Sequence, residues 1–245
     1  MQKQPKFCFL SGNMLKIIAA VSMLIDHIGV IFYPENMDYR IIGRMAFPIF
    51  AFMIAEGCRY TRHKLRYFLT VFGVGLICQL FYYHSGEICV LVTFSFSILC
   101  IYSLQNFKKI FFDHNSTNAE RTLSMGAFIG CIGLTYIANK LCVMDYGFWG
   151  CMAPVFASLL YVPENCENTV LKKLDCIPLN VMLMSIAMLM IAANGRAEQY
   201  YSFFALIPLL LYSGKRGSLN MKYFFYIFYP LHLILLEGLN ILINL

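Results

Sequence analysis

The sequence predicts an all-α, polytopic transmembrane helical bundle of about nine spans, and three observations carry that expectation. Of its 245 residues, 60% are hydrophobic and 13% charged, whereas an ordinary soluble domain has about 25% charged and 45–50% apolar residues. The mean hydropathy is +0.66, and the apolar residues fall into runs near the roughly 20 residues that a helix needs to cross hydrocarbon. Most of the nineteen Lys and Arg residues fall in the gaps between those runs or close to their ends, where membrane topology requires them. Roughly eight to ten spans with short connections use up the whole chain, so one integral membrane domain over 1–245 is expected.

Each run is bounded by charge, Gly or Pro. The first, 14–33, lacks a small-residue cleavage site and contains Asp26-His27, so it is expected to stay as a span rather than leave as a signal peptide. The second, 41–58, lies between Arg40 and Arg59, and the third, 67–84, follows the basic turn Arg62–Arg66. The fourth and fifth are 88–105 and 122–143, separated by Lys108, Lys109 and Arg121. The sixth, 145–162, ends before Pro163, and the seventh, 177–194, ends before Gly195-Arg196. The eighth, 199–213, is short and holds Pro208, so a tilted, kinked or partly re-entrant segment is expected. The ninth is 221–243.

The charges test this reading, because cytoplasmic loops are enriched in Lys and Arg and alternate loops share a side. With the N-terminus in the cytoplasm, Lys3, Lys6, Lys16, Arg59, Arg62, Lys64, Arg66, Lys108, Lys109, Arg121, Lys172, Lys173, Lys215, Arg216 and Lys222 fall inside, and only Arg40, Arg44, Lys140 and Arg196 fall outside. The chain therefore reads as a multi-pass protein of a bacterial cytoplasmic (inner) membrane, its partner the lipid bilayer and its C-terminus outside. The net charge of +6 belongs to these flanks, and no nucleic-acid partner is expected. Ten scattered cysteines with no CxxC pair and no His at ligand spacing read as small reduced core residues, and no metal site is expected. Asn115-Ser116-Thr117 forms a glycosylation sequon, but its loop is expected on the cytoplasmic side.

A charge at the centre of a spanning helix costs about 2.5–3.5 kcal/mol on insertion scales, so each one needs a partner, a wet cavity or a function. Lys16 and His27 are separated by about 16 Å of helix rise, so Lys16 can sit at the inner interface while His27 lies past the midplane. Asp26 and His27 point about 100° apart and cannot form a bonded dyad, so Asp26 is expected to pair with Arg44, as a structural anchor or in the chemistry. His27 is either a satisfied core histidine or a neutral general base in a dry cavity. His232, two residues after Pro230, either lines the same cavity or bonds a Tyr hydroxyl. Glu56 is expected to pair with Lys16 or Arg59. The cluster Arg59, Arg62, His63, Lys64 and Arg66 serves either topology or an anionic nucleotide, and the glycines around Lys215 and Arg216 would let backbone approach such a ligand.

These unusual residues also form a pattern. Met23-Leu-Ile-Asp-His-Ile-Gly29, Gly43-Arg-Met-Ala-Phe-Pro-Ile-Phe-Ala-Phe52 and Glu56-Gly-Cys-Arg-Tyr-Thr61 resemble the TraX family of membrane proteins. So do Asp145-Tyr-Gly147 with Gly150, Leu211-Tyr-Ser-Gly-Lys-Arg-Gly217 and Phe225-Tyr-Ile-Phe-Tyr-Pro-Leu-His-Leu233. The family is named for the F-pilin acetylation protein and is similar to the wider group of membrane acyltransferases that use acyl-CoA. The resemblance implies acetyl transfer from acetyl-CoA, as cosubstrate, to an amine or hydroxyl acceptor such as a protein amine, a glycan or another surface polymer. It does not single out pilin. In the wider group a basic residue, usually Arg, stands eleven positions before a His on the first helix, a place similar to that of Lys16 and His27.

The expected mechanism has acetyl-CoA phosphates at Lys16, Arg59, Arg62, Lys64, Arg66, Lys215 and Arg216. His27 acts as general base, and Arg44 or a Tyr such as Tyr229 stabilises the oxyanion. Asp26 and His232 complete the candidate catalytic set. A transporter using intramembrane Asp, His and Arg is the competing class, although no inverted repeat is visible, and a non-catalytic scaffold is a third.

Overall fold

The computed structural model describes residues 8–80, 87–195, 197–218 and 221–243, with Lys222 described by its backbone alone. Lys3, Lys6, Arg196 and the last residues of the third expected span lie outside that set. The described chain is helical throughout: α1 Gly12–Phe32, α2 Met37–Gly43, α3 Ala46–Tyr60, α4 Lys64–Gln79, α5 Val90–Phe111, α6 Asn118–Leu141, α7 Gly147–Ala157, α8 Thr169–Leu174 and α9 Ile177–Asn194. A 3-10 helix, Ala197–Ala205, then leads into α10 Leu206–Leu210, and α11 Lys222–Ile243 ends the described chain.

Among the described residues, six helical stretches are long and apolar enough to cross a membrane: α1, α2 with α3, α5, α6, α9 and the Tyr223–Ile243 part of α11. That differs from the nine expected. The third run forms a helix of 16 residues, α4, and at 1.5 Å per residue it covers about 24 Å of a hydrocarbon layer about 30 Å thick. The sixth run yields only 11 helical residues, α7. Its apolarity has another cause, for Cys151, Ala153 and Ala157 are fully buried among other helices rather than turned to lipid. The eighth run is divided between the 3-10 helix and α10, the broken segment that its length and Pro208 led one to expect.

Local chemistry explains several boundaries. Ser11 Oγ accepts from Met14 N to cap α1, and Thr117 with Glu120 forms a reciprocal capping box at the start of α6. Lys108, expected only as a cytoplasmic flank, caps the other end of α7. Its ammonium donates to the carbonyls of Ser158, Leu159 and Tyr161 at 3.3, 2.7 and 2.9 Å, just past the end of the helix, where carbonyls run short of helical partners; Ser158 O also accepts from Tyr161 N at 3.1 Å. Pro154 removes one backbone donor from α7, and Ser97 Oγ on α5 supplies one nearby to Cys151 O at 2.7 Å.

Helices α1, α3, α5, α7 and α9 form the packed interior. In contrast, α6 buries Ser124 and Thr135 while exposing Leu123, Ile129, Leu134 and Ile137, and α11 buries Tyr229, His232 and Leu236 on one stripe and exposes Ile227, Leu231, Ile234 and Leu235. Lipid satisfies such outward apolar side chains without cost. α11 runs beside α1 in the same direction, with Lys16 over the Phe225 ring and His27 against His232. The bundle thus has a Lys16 end, where α1 begins, and an Asp26 end.

Substituting Lys108→Met leaves the Ser158, Leu159 and Tyr161 carbonyls without this donor. The expected cost is about 1–3 kcal/mol, read as a lower midpoint of thermal unfolding in detergent; an unchanged midpoint would show that the cap contributes nothing.

Candidate functional site

Amphipathic spacing on α1 builds the site. Asn13, Lys16, Met23, His27 and Val30 recur at helical intervals and line one wall of a cavity of about 840 Å³. The facing walls come from α3 (Phe47, Phe50, Met53, Ile54), α4 (Tyr67, Val71, Val74), α5 (Val90, Leu91, Phe94) and α11 (Phe225, Tyr226, Phe228, Tyr229). The cavity runs from Lys16, Arg62, Gly214 and Arg216 to Asp26, His27, Arg40, Arg44, Glu87, Asp145 and Tyr146. Between these polar ends the lining is mostly apolar.

At the Lys16 end, residues two hundred positions apart in sequence are held together by backbone bonds. Leu10 N donates to Leu211 O, Ser213 N to Leu10 O, Gly12 N to Lys215 O at 2.8 Å and Asn13 N to Arg216 O at 3.0 Å. Gly214 and Gly217 have φ of +71° and +97°, the left-handed region that glycine enters without strain, so the turn can fold back against the start of α1. Arg216 thereby comes within electrostatic range of Lys16.

The expected phosphate set divides. Lys16, Arg62 and Arg216 line the cavity, while Arg59, Lys64, Arg66 and Lys215 are not among its lining residues. Arg59 instead makes a bidentate pair with Asp175, both bonds 2.8 Å, and stacks 4.4 Å over the Tyr161 ring. Lys64 and Arg66 share a separate shallow pocket with His63 and Leu65, and Lys64 lies over the Tyr102 ring. Glu56 pairs with neither Lys16 nor Arg59 but accepts from Tyr161 at 2.8 Å and Tyr212 at 3.0 Å. With Arg59 drawn to Asp175, the two phenols satisfy that buried carboxylate.

At the opposite end the expected Asp26–Arg44 pair forms. Arg44 Nη2 lies 3.0 Å from Asp26 Oδ1 and 3.3 Å from Oδ2, and Arg40 Nη1 lies 3.0 Å from Oδ2. Arg40 was not foreseen in this role, although its spacing four residues before Arg44 puts both guanidiniums on one face of α2. Close approach depends on Gly43, where a Cβ would run into the Asp26 carboxyl. Asp145 and Tyr146 also reach the cavity unforeseen, and Tyr146, in the left-handed region at φ 59°, stacks on Phe47 with centroids 3.9 Å apart.

His27 and Asp26 take separate partners, as their positions on the helix require. The His27 Nδ1 meets His232 Nε2 at 2.8 Å, with rings 9° from parallel. His232 is buried behind His27, and its Nδ1 bonds Phe228 O at 2.9 Å. Of the two alternatives expected for it, His232 is not among the cavity-lining residues, and the partner of its Nε2 is the other histidine rather than a Tyr hydroxyl; Tyr229 packs edge-on against the ring. A neutral imidazole between a basic mouth and an ion-paired end is suited to take a proton from a bound nucleophile.

Comparisons with known proteins establish the family. The family described as TraX protein matches residues 11–240. The "Probable fimbrial assembly protein FimC, serogroup H1" of Dichelobacter nodosus is 24% identical, the alignment covering 92% of this chain and 94% of that protein. "Uncharacterized protein RP591" of Rickettsia prowazekii (strain Madrid E) is 42% identical over 62 residues, a quarter of this chain. No solved structure matches. With both His27 and His232 inside the matched range and nearly the whole chain covered, this protein belongs to the TraX family of membrane proteins.

Proposed function

We propose that the chain is a multi-pass acetyltransferase of the bacterial cytoplasmic membrane, which moves an acetyl group from acetyl-CoA to an amine or hydroxyl acceptor. One observation carries this reading: a single cavity has Lys16, Arg62 and Arg216 at one end and His27 toward the other. Its volume of about 840 Å³ lies within the roughly 300–1,000 Å³ of small-molecule sites. The cations suit phosphates, and the apolar lining between them and His27 suits the slender arm of the carrier.

In this mechanism the acceptor's N–H or O–H meets His27, which takes the proton as the acceptor lone pair attacks the thioester carbonyl carbon. Arg44 or Tyr229, both at the cavity wall, stabilises the negative oxygen of the tetrahedral intermediate. Collapse breaks the C–S bond, and the departing thiolate of CoA receives the proton from His27. Asp26 orients Arg44 through the ion pair.

The topology proposed with it has nine traverses, N-terminus in the cytoplasm and C-terminus outside. Supporting this, α4, α7 with the residues that follow it, and the 3-10 helix with α10 join the Lys16 end to the Asp26 end in alternation. Tyr161 bonds Glu56 near the former while Tyr146 stacks on Phe47 near the latter. The basic mouth then opens to the compartment that holds acyl-CoA. The name of the Dichelobacter relative makes a fimbrial subunit one acceptor to test, beside glycans and other surface polymers.

Replacing His27 by Ala is expected to lower release of CoA from acetyl-CoA by about 10²- to 10⁴-fold in protein that still shows a cooperative unfolding transition in detergent, CoA and acetylated product being followed by mass spectrometry. Full activity in that variant removes His27 from the mechanism. Solute flux into liposomes with no CoA released would instead establish transport.

The double variant Lys16→Met, Arg216→Met should raise the KM for acetyl-CoA about tenfold or more and abolish stabilisation of the protein by CoA, given that charge-assisted bonds contribute about 1.5–3 kcal/mol each. An unchanged KM would move the phosphate site elsewhere.

A further inference from the structure

The strongest unassigned geometry is the chain of polar contacts behind His27, and it bears on how that ring is set up rather than on what it binds. We propose that His232 is a positioning residue that fixes the tautomer of His27, leaving the Nε2 lone pair of His27 for the acceptor's proton. The inference rests on the general-base reading of His27 and adds a residue that touches no substrate, for His27 lines the cavity and His232 does not.

Hydrogen-bond polarity dictates each step. Phe228 O is a carbonyl and can only accept, so His232 Nδ1, 2.9 Å away, carries a hydrogen. A neutral imidazole has one N–H, so His232 Nε2 is then a bare acceptor. It faces His27 Nδ1 at 2.8 Å, and that nitrogen must donate. The single hydrogen of neutral His27 is thereby committed to Nδ1, and Nε2, across the ring from His232, keeps its lone pair. When His27 takes a proton at Nε2, the cation that forms still donates from Nδ1 to His232, and no group has to reorient. A backbone carbonyl on α11 thus decides which edge of a ring on α1 is basic.

The surroundings hold this arrangement. The His232 ring lies nearly parallel to both Phe228 and His27, with centroids 5.1 and 5.0 Å away and interplanar angles of 11° and 9°. Tyr229 blocks its edge. The charged groups around His27 are Arg40 and Arg44 from α2 and its C-terminal turn and Asp26 from α1, and the titratable group beside it is His232 from α11. Asp26 is held by both arginines, so it does not compete for the His27 hydrogen.

The test combines structure and rate. In protein with ¹⁵N-labelled histidine in lipid nanodiscs, without substrate, the His27 resonance assigned by His27→Gln should report a protonated Nδ1 and an unprotonated Nε2. In His232→Leu that preference should be lost, with kcat lower by about 10- to 100-fold, the scale seen for groups that orient a metal-bound histidine through its other ring nitrogen. The KM for acetyl-CoA should not move. His232→Gln, which places an acceptor oxygen near the lost Nε2, should recover most of the tautomer preference and of kcat. A proton found on His27 Nε2 in the unaltered protein would overturn the proposal, as would an unchanged kcat and pH profile in His232→Leu. The spectra need no turnover: the expected tautomer in a protein that releases no CoA under any condition would retain the positioning role and sink the acetyl-transfer reading alone. Should the Leu variant fail to fold, the unaltered protein's spectrum and the Gln variant still decide.

Discussion

Hydrocarbon offers no hydrogen bonds, and that one constraint governs the rest of the structure. Each polar side chain within the spans must find a partner inside the protein or face a cavity. Asp26 is satisfied by Arg40 and Arg44, Glu56 by Tyr161 and Tyr212, Arg59 by Asp175 and Lys108 by three carbonyls. The Asp26 pairs clamp the consecutive helices α1 and α2, and the others join elements far apart in sequence or cap a helix end, so satisfying the charge and closing the bundle are the same event. Apolar contact alone discriminates poorly between helix pairs in lipid, because lipid tails are as apolar as Leu. The polar pairs therefore set which helix meets which.

Once the strongly charged groups are matched, the residues left along the cavity acquire an order. Lys16 and His27 are fixed to one rigid helix, so their separation of about 16 Å does not depend on loop conformation. Arg216 joins Lys16 only because the glycine turn pairs with the start of α1 through four backbone bonds. α11 contributes at both depths, Phe225 beside Lys16 and His232 beside His27. Placement of Lys16 and His27 on a helix, with the loop supplying only a charge, is the arrangement that holds side chains to a fixed geometry.

Much of this was legible in the sequence, for reasons that can be named. Apolar period and length located α1, α5, α6, α9 and α11, and α9 matches the expected 177–194 residue for residue. The cost of a charge in hydrocarbon identified the Asp26–Arg44 pair without any structure. The same logic misassigned Glu56, because a Tyr hydroxyl is as good a partner for a buried carboxylate as a cation and carries no charge signal in sequence. It also treated Lys108 as a topological flank, since a lysine that caps a helix and one that faces the cytoplasm look alike in a sequence. The sixth expected span holds only the 11-residue helix α7, shorter than its apolar run led one to expect, for a related reason. An 11-residue helix buried by its neighbours is as apolar as one buried by lipid, and hydropathy does not tell the two environments apart. The His27–His232 contact joins residues 205 positions apart, and no local pattern encodes it.

The division of the basic residues follows from the same physics. A cation that serves topology need only reach the interface, whereas one that serves a ligand must also face the cavity, and positive-inside counting does not separate these roles. Arg59 and Arg62 show the difference within one turn. Three residues apart, they leave the end of α3 in different directions, Arg59 into a bidentate clamp with Asp175 and Arg62 onto the cavity mouth. A clamped guanidinium has its donors already matched, so an incoming phosphate would have to break two 2.8 Å bonds to use it. The charge at the mouth thus comes from three separate elements, α1, the end of α3 and the glycine turn before α11.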